Sequence, residues 1–174
     1  MVVLSTDQVK LRGFNDNDQF KLAELCNNIR IWNNVRDFLP SPYTEQNALE
    51  FIRICQQEDP ANTFAIEYKG ALAGCIGLVQ QSDVYRLSAE IGYWIGEPFW
   101  GLGIATNAVK LLTEYGFNQL DLMRIYSGVF DFNKASQRVL EKSGFKMEGI
   151  FEKAVIKNGQ ICNEIRYAKI ININ

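Results

Sequence analysis

The spacing of apolar and polar positions changes period several times along the chain, and each change marks a predicted element. Val9–Phe14 alternates as a first strand. Asp16 or Asn17 then offers a helix cap, and Phe20, Leu22, Ala23, Leu25, Cys26 and Ile29 supply a helical stripe. Trp32 and Val35 extend this helix or begin a second short one, and Pro40 and Pro42 stiffen Leu39–Tyr43 as a loop. Thr44-Glu45-Gln46-Asn47 comes close to a capping box ahead of Ala48, Phe51, Ile52 and Cys55 at helical spacing. Period two returns at Thr63–Tyr68 and Leu72–Val79, which the Lys69-Gly70 turn joins as a hairpin. Gly74 and Gly77 inside the second run point to a bulge or a close backbone approach. Leu87–Ile95 is a further strand. A helix follows from about Gly103 to Phe117, with Ile104, Ala108, Leu111, Leu112 and Tyr115 on its apolar face. Arg124–Phe130 reads as a strand and Asn133–Ser143 as a helix that Gly144 stops. Phe145–Ile156 and Ile161–Ile171 are two last strands around Lys157-Asn158-Gly159. The order β-α-α-β-β-β-α-β-α-β-β predicts a mixed α/β fold.

Composition narrows the chemistry. With 174 residues, 47% hydrophobic and 22% charged, the chain reads as one soluble domain over residues 1–174 with a core that needs no staples. Lys and Arg number 18 against 20 Asp and Glu, a net charge of −2, which disfavours nucleic acid as a partner. Histidine is absent, so histidine triads, histidine metal sites and imidazole bases are excluded, and no metal is expected. Cys26, Cys55, Cys75 and Cys162 form no C-x-x-C pair and lie among apolar residues, the pattern of reduced, buried thiols in a cytoplasmic protein. A secretory leader is not apparent, and no segment approaches the roughly 18 apolar residues of a membrane span, so no membrane partner is expected.

The stretch from Glu90 to Thr106 runs strand, glycine loop, helix. Gly101 and Gly103 leave backbone N–H groups free to face the loop, and the next helix adds its unsatisfied N–H groups and positive dipole end. Together they make a seat for a phosphate or pyrophosphate. The Walker pattern fails because no Gly-Lys-Ser/Thr follows, and the dinucleotide fingerprint fails at Thr106. Further on, Asn133-Lys134-Ala135-Ser136 opens a helix that Lys142-Ser143-Gly144-Phe145 ends. Asn133 is in any case a good helix cap, and Ser136 suits a first turn.

Trp-Gly-x-Gly-x-Ala at 100–105, Asn-x-x-Ser at 133–136 and Lys-x-Gly-Phe at 142–145 resemble, in this order, the GNAT acetyltransferase superfamily. Ala-Glu-Ile-Gly-Tyr-Trp at 89–94 and the Val35 to Thr44 region resemble its RimJ/RimL-like branch, which acetylates N-termini of ribosomal proteins and includes enzymes with other amine substrates. The resemblance covers about residues 8–170. It implies a mixed, mostly antiparallel sheet flanked by helices and splayed between the fourth and fifth strands, here Leu87–Ile95 and Arg124–Phe130, with acetyl-CoA as co-substrate in the gap. The backbone of Trp94, Ile95 and Gly96 would pair with the pantetheine arm, one of their N–H groups polarising the thioester carbonyl. Trp100, Gly101, Leu102, Gly103, Ile104, Ala105 and Thr106 would cradle the pyrophosphate, and Asn133 would hydrogen-bond the pantetheine.

The implied reaction is attack by a neutral primary amine, a protein N-terminus or a small amine, on the thioester carbonyl. The amine arrives largely protonated, so a base must take a proton. Without histidine that base is a carboxylate, a water chain or a tyrosinate. Glu90 and Glu164 are the candidates, with Glu90 favoured, acting through water. Many members of the superfamily protonate the leaving thiolate with a tyrosine seven residues after the helix-opening Asn, but that position here is Leu140. The RimL-like pattern offers Ser136 as donor instead. Residues 1–87 hold 8 basic and 11 acidic residues against 10 and 9 in residues 88–174, a hint of a cationic acceptor on the N-terminal side. The competing expectation is a non-catalytic acyl-CoA-binding sensor on the same fold. Either would work as a monomer or homodimer.

Overall fold

The computed structural model describes residues 3–171. Eight strands form one mixed sheet in the order β1-β2-β3-β4-β5-β6-β8-β7. They are β1 (Leu4–Ser5), β2 (Val9–Arg12), β3 (Thr63–Tyr68), β4 (Ala71–Gln80), β5 (Ser88–Ile95), β6 (Arg124–Phe130), β7 (Lys146–Lys157) and β8 (Gln160–Ile170). Only β5 and β6 run parallel; every other pairing is antiparallel. The helices are α1 (Asp18–Cys26), α2 (Ile29–Trp32), α3 (Glu45–Gln56), α4 (Ile104–Gln119) and α5 (Lys134–Lys142).

Strand alternation sorts the core into two layers. Leu11, Phe64, Ile66, Ile76, Ile91 and Ile125 point to the face covered by α4 and α5. Ala65, Leu72 and Cys75 point to the opposite face, against α1 and α3. Each strand therefore serves two small cores, and the sheet is covered on both sides. Gly74 permits a close approach: a Cβ there would lie 2.2 Å from the carbonyl oxygen of Trp94. The register slips beside it, leaving Ala73 as an extra residue opposite Ile66 and Glu67.

The predicted elements stand, with local corrections. β1 is an added two-residue strand, so the strands expected to be fourth and fifth become β5 and β6. Neither Asp16 nor Asn17 caps α1: Asn17 is already helical in backbone and makes no side-chain cap bond. Asn15 Oδ1 instead accepts the Asn17 N–H at 3.1 Å, and Asp18 Oδ2 accepts the Asn15 N–H at 2.9 Å. Phe20 and Ile29 leave the predicted stripe, at 56% and 60% exposed. The buried face of α1 runs through Asp18, Leu22, Leu25 and Cys26, and Phe20 lies well round the helix from it. Thr44 and Asn47 do close a capping box, each side chain accepting the other's backbone N–H. All four cysteines are free; Cys26, Cys55 and Cys75 are buried, and Cys162 is half-buried.

Burial pushes the thiols of Cys26, Cys55 and Cys75 upward, Cys55 to about 12. Above about pH 9 the unfolded chain releases these protons and the folded chain keeps them, so the folded state loses stability as pH rises. Each thiol should remove about 1.4 kcal/mol per pH unit in that window. Thermal melts from pH 7 to 10.5 should show the melting temperature falling from about pH 9. A Cys26→Ala, Cys55→Ala variant should start lower and fall less steeply.

Candidate active site

β5 and β6 are paired only through Ser88–Arg124, Ala89–Ile125 and Glu90–Tyr126. Beyond that rung β6 continues with β8 as far as Phe130–Glu164, and β5 continues with β4 as far as Ile95–Gly74. The two strands part after Glu90, and the sheet opens there. In an antiparallel ladder alternate residues turn their backbone groups to the same neighbour. Gly96 N–H donates to Ala73 O at 2.8 Å and Gln81 N–H to Ser88 O at 2.9 Å, so the even-numbered residues of β5 serve β4. Tyr93 and Ile95 therefore turn their N–H and C=O groups toward the opening.

This parity refines the expected pantetheine contacts. Trp94 pairs with β4, and its half-buried side chain packs with the α1–α3 core. Both backbone groups of Gly96 are engaged, its carbonyl accepting Phe99 N–H at 2.9 Å. The Ile95 carbonyl accepts the Trp100 indole N–H at 2.6 Å. Of the three expected residues, that leaves the N–H of Ile95 facing the gap, with the backbone of Tyr93 on the same side of the strand.

The glycine loop leads from β5 into α4. Gly101 and Gly103 have φ of +77° and +74°, and a Cβ on either would meet open space. Backbone conformation, not crowding, makes glycine suit these positions. Gly103 occupies the N-cap position and supplies no side chain, and the first helical bond runs from Asn107 N–H to Gly103 O at 3.2 Å. The N–H groups of Ile104, Ala105 and Thr106 precede it and keep their orphan character. Ile104 is buried and pins this turn to the core; Ala105 is half-buried, and Leu102 is half-exposed. Trp100 lies 42% exposed, with the Arg30 guanidinium 5.3 Å from its ring centre. Glu97 pairs with Arg30 and accepts Asn28 Nδ2 at 2.7 Å, which ties the loop to α2.

Across the opening, Asn133 caps α5 by accepting the Ser136 N–H at 3.1 Å. Its amide NH2 makes no bond among the described residues. Ser136 Oγ is 2.9 Å from the Tyr93 hydroxyl, which also donates to Ser136 O at 3.3 Å. Tyr93 thus reaches from β5 to α5. Burial pushes its phenol up to about 12, so it stays protonated at neutral pH. Leu140 is fully buried in the core beneath α5.

Glu90 and Glu164 both reach the α1–α3 face of the sheet, and each side chain is 16% exposed. Glu90 ion-pairs with Arg36, and Glu164 Oε1 accepts Arg166 Nη2 at 2.6 Å. The loop carrying Arg36 is held from the far end of the chain. Lys157, 4% exposed, binds the Asp37 carboxylate and lies 3.5 Å from the Trp32 ring centre, and Asn158 Nδ2 donates to Asn33 Oδ1 at 2.9 Å. Sequence reasoning missed Tyr93, Arg36 and Arg166. Arg166 was within reach, since two residues after Glu164 on a strand shares its face. Tyr93 reads as a core position, and Arg36 lies on a loop without periodicity. No group of three or more His, Cys, Asp or Glu suited to a metal occurs among the described residues.

A strand pair opening above an uncapped helix N-terminus, with a helix-capping Asn across the gap, defines a class of protein, and the comparisons agree. Residues 8–146 match the acetyltransferase (GNAT) domain. The spermidine N(1)-acetyltransferase of Escherichia coli (strain K12) is 33% identical over 165 residues, 93% of this chain and 86% of that one. The "Probable N-acetyltransferase YjcK" of Bacillus subtilis (strain 168) is 44% identical over 88 residues, 51% of this chain and 49% of that one, so the chain spans about half the length of that relative. Among solved structures, the microcin C7 self-immunity acetyltransferase MccE, in complex with acetyl-CoA and AMP, superposes with a TM-score of 0.82 at 28% identity, over 95% of this chain and 94% of that one. RimL, the ribosomal L7/L12 alpha-N-protein acetyltransferase, in complex with coenzyme A, superposes with a TM-score of 0.86 at 20% identity, over 98% of both chains. The chain belongs to the GNAT acetyltransferase family and has the GNAT fold. It is an acetyltransferase, with RimL among its structural neighbours. No helix among the described residues is long and apolar enough to cross a membrane.

Proposed function

We propose that the protein transfers an acetyl group from acetyl-CoA to a primary amine by direct attack on the thioester. One observation carries this reading: β5 and β6 separate after Glu90 and leave the Ile95 N–H facing a gap that leads to the bare first turn of α4. Gly101 to Thr106 bind the pyrophosphate through backbone N–H groups, and the Asn133 amide holds the pantetheine. The Ile95 N–H donates to the carbonyl oxygen as negative charge builds there. Glu90, at the last rung before the gap, takes the amine proton through water, and Glu164 lines the same cleft. Ser136 donates a hydrogen bond to the departing thiolate, which takes its proton from solvent, and the Tyr93 hydroxyl 2.9 Å away orients Ser136.

Thiol release from acetyl-CoA across a panel of primary amines, with mass spectrometry of the products, tests the proposal. Amine-dependent release with an acetylated product is expected; tight acetyl-CoA binding with no release on any amine would refute it. That refuting outcome is what the second reading, an acyl-CoA sensor, predicts. Leu140 favours the sensor, since it puts a buried alkyl chain where many relatives carry an acidic hydroxyl. The Tyr93–Ser136 pair answers it by supplying a hydroxyl from the other side of the gap. Ser136→Ala and Tyr93→Phe should each lower kcat roughly tenfold while leaving acetyl-CoA affinity within about twofold. Because Tyr93 acts through Ser136, the double variant should be little worse than either single one. Stopped-flow turnover of the three variants checks this, and multiplying losses would count against Tyr93 acting through Ser136.

A further inference from the structure

Four charged side chains meet around one phenol where the sheet opens. Glu90 and Tyr126 face each other on the last parallel rung. Gly128 and Phe130, two and four residues further along β6, stand opposite Arg166 and Glu164. All therefore share one face of the sheet, the face with α1 and α3. Gly128 makes the room: a Cβ there would fall 2.5 Å from the Glu164 carboxyl carbon. Each carboxylate has its own arginine, Glu90 with Arg36 and Glu164 with Arg166. The cluster carries two positive and two negative charges, so its net charge is zero. A polycation would find no excess of carboxylates here.

Arg166 is the fixed member. Its guanidinium lies 4.9 Å from the Tyr126 ring centre and 4.7 Å from that of Phe151. Nε and Nη2 both donate to Glu164 Oε1, at 3.2 and 2.6 Å. Nη1 makes no hydrogen bond among the described residues, and the side chain is 31% exposed. A guanidinium held between two rings, with a free N–H edge, is pre-organised to take an anion. Arg36 is the adaptable member, on a loop and 57% exposed.

We propose that the acceptor is an amine whose own molecule carries an anionic group, a carboxylate or a phosphate, and that Arg166 binds this group while the amine lies toward Glu90. The inference rests on the acetyltransferase reading above and adds the acceptor class to it. It separates this chain from what the name of its spermidine-acetylating relative would suggest.

The test compares matched acceptors: an α-amino acid with its amide, phosphoethanolamine with ethanolamine, and spermidine. The anionic member of at least one pair should exceed its neutral counterpart and spermidine by roughly tenfold or more in kcat/KM, and the pair that does so identifies carboxylate or phosphate. Arg166→Gln should bring that ratio close to one, chiefly through KM, and Arg166→Lys should restore part of it. A thermal melt of each variant separates this loss from misfolding, and the wild-type ratios stand even if a variant does not fold. Turnover that favours spermidine or the neutral members, or a ratio that survives in folded Arg166→Gln, would overturn the inference and leave the transferase reading intact. Calorimetry of the same pairs with the CoA-bound protein reads the site without turnover. Tighter binding of the anionic member with no thiol release from any amine would overturn the transferase reading alone. Equal binding within every pair would overturn this inference.

Discussion

Gly103→Asp should abolish acetyl-CoA binding while leaving the protein folded. The φ of +74° at Gly103 lies in the left-handed region, which aspartate and asparagine enter more readily than other residues with a Cβ. A Cβ there meets open space, so no neighbour has to move. The new carboxylate, however, stands at the first turn of α4, where the pyrophosphate is expected. It occupies the positive end of the dipole and repels the ligand's own charge. Like charges held together cost several kcal/mol, so affinity should fall by roughly a hundredfold or more. Gly103→Asn has nearly the same shape and no charge, and it should keep most of the binding. Titration calorimetry of both variants, with melts as a control, separates charge from shape. Equal affinities for Asp and Asn would mean that the pyrophosphate lies elsewhere.

Glu90→Gln should have the second largest effect. Glutamine preserves the size of the side chain and can still accept from Arg36, so the last rung of the opening should stay in place. What disappears is a group able to take a proton. A positioned base contributes roughly a hundredfold to ten-thousandfold, and kcat should fall by at least the lower figure with acetyl-CoA affinity unchanged. Glu164→Gln should act mainly on the acceptor's KM, because it loosens Arg166. The two variants measured side by side decide between the carboxylates: a kcat loss confined to Glu164→Gln would reverse the assignment.

Most of the architecture was legible because the chain is locally consistent. Two-residue turns at Lys69-Gly70 and Asn158-Gly159, all four residues at positive φ, fix their hairpins from sequence alone. The Thr44 capping box and the Gly101 and Gly103 pair carry signatures that depend only on near neighbours. β1 was missed because two residues hold no periodicity. Phe20 was misplaced because a count of apolar residues does not say which side of a helix faces the sheet. Within the site, the loop and Asn133 were readable as types, but which backbone groups face the gap depends on the register with β4. The commitment of Gly96 to Ala73 is a property of that ladder and of no short motif.

Charge was the least legible feature. The acidic excess of residues 1–87 suggested a cationic acceptor, yet the carboxylates that reach the cleft are each matched by an arginine. Arg36 arrives there because Lys157, 120 positions beyond Asp37, clamps the neighbouring loop. A sum over half a chain does not contain such a contact. The absent histidine, by contrast, was informative from the start: it left carboxylates and hydroxyls as the titratable groups for proton transfer, and the opening between β5 and β6 is bordered by both.

The most direct measurement is a crystal structure of the protein with CoA. The account predicts the pyrophosphate against the backbone of Gly101 to Thr106, the pantetheine beside the Asn133 amide and the Ile95 N–H, and the thiol within hydrogen-bond reach of the Ser136 hydroxyl, on the side of the gap that leads to Glu90. CoA bound away from the gap, or a thiol facing away from both Ser136 and Glu90, would contradict it.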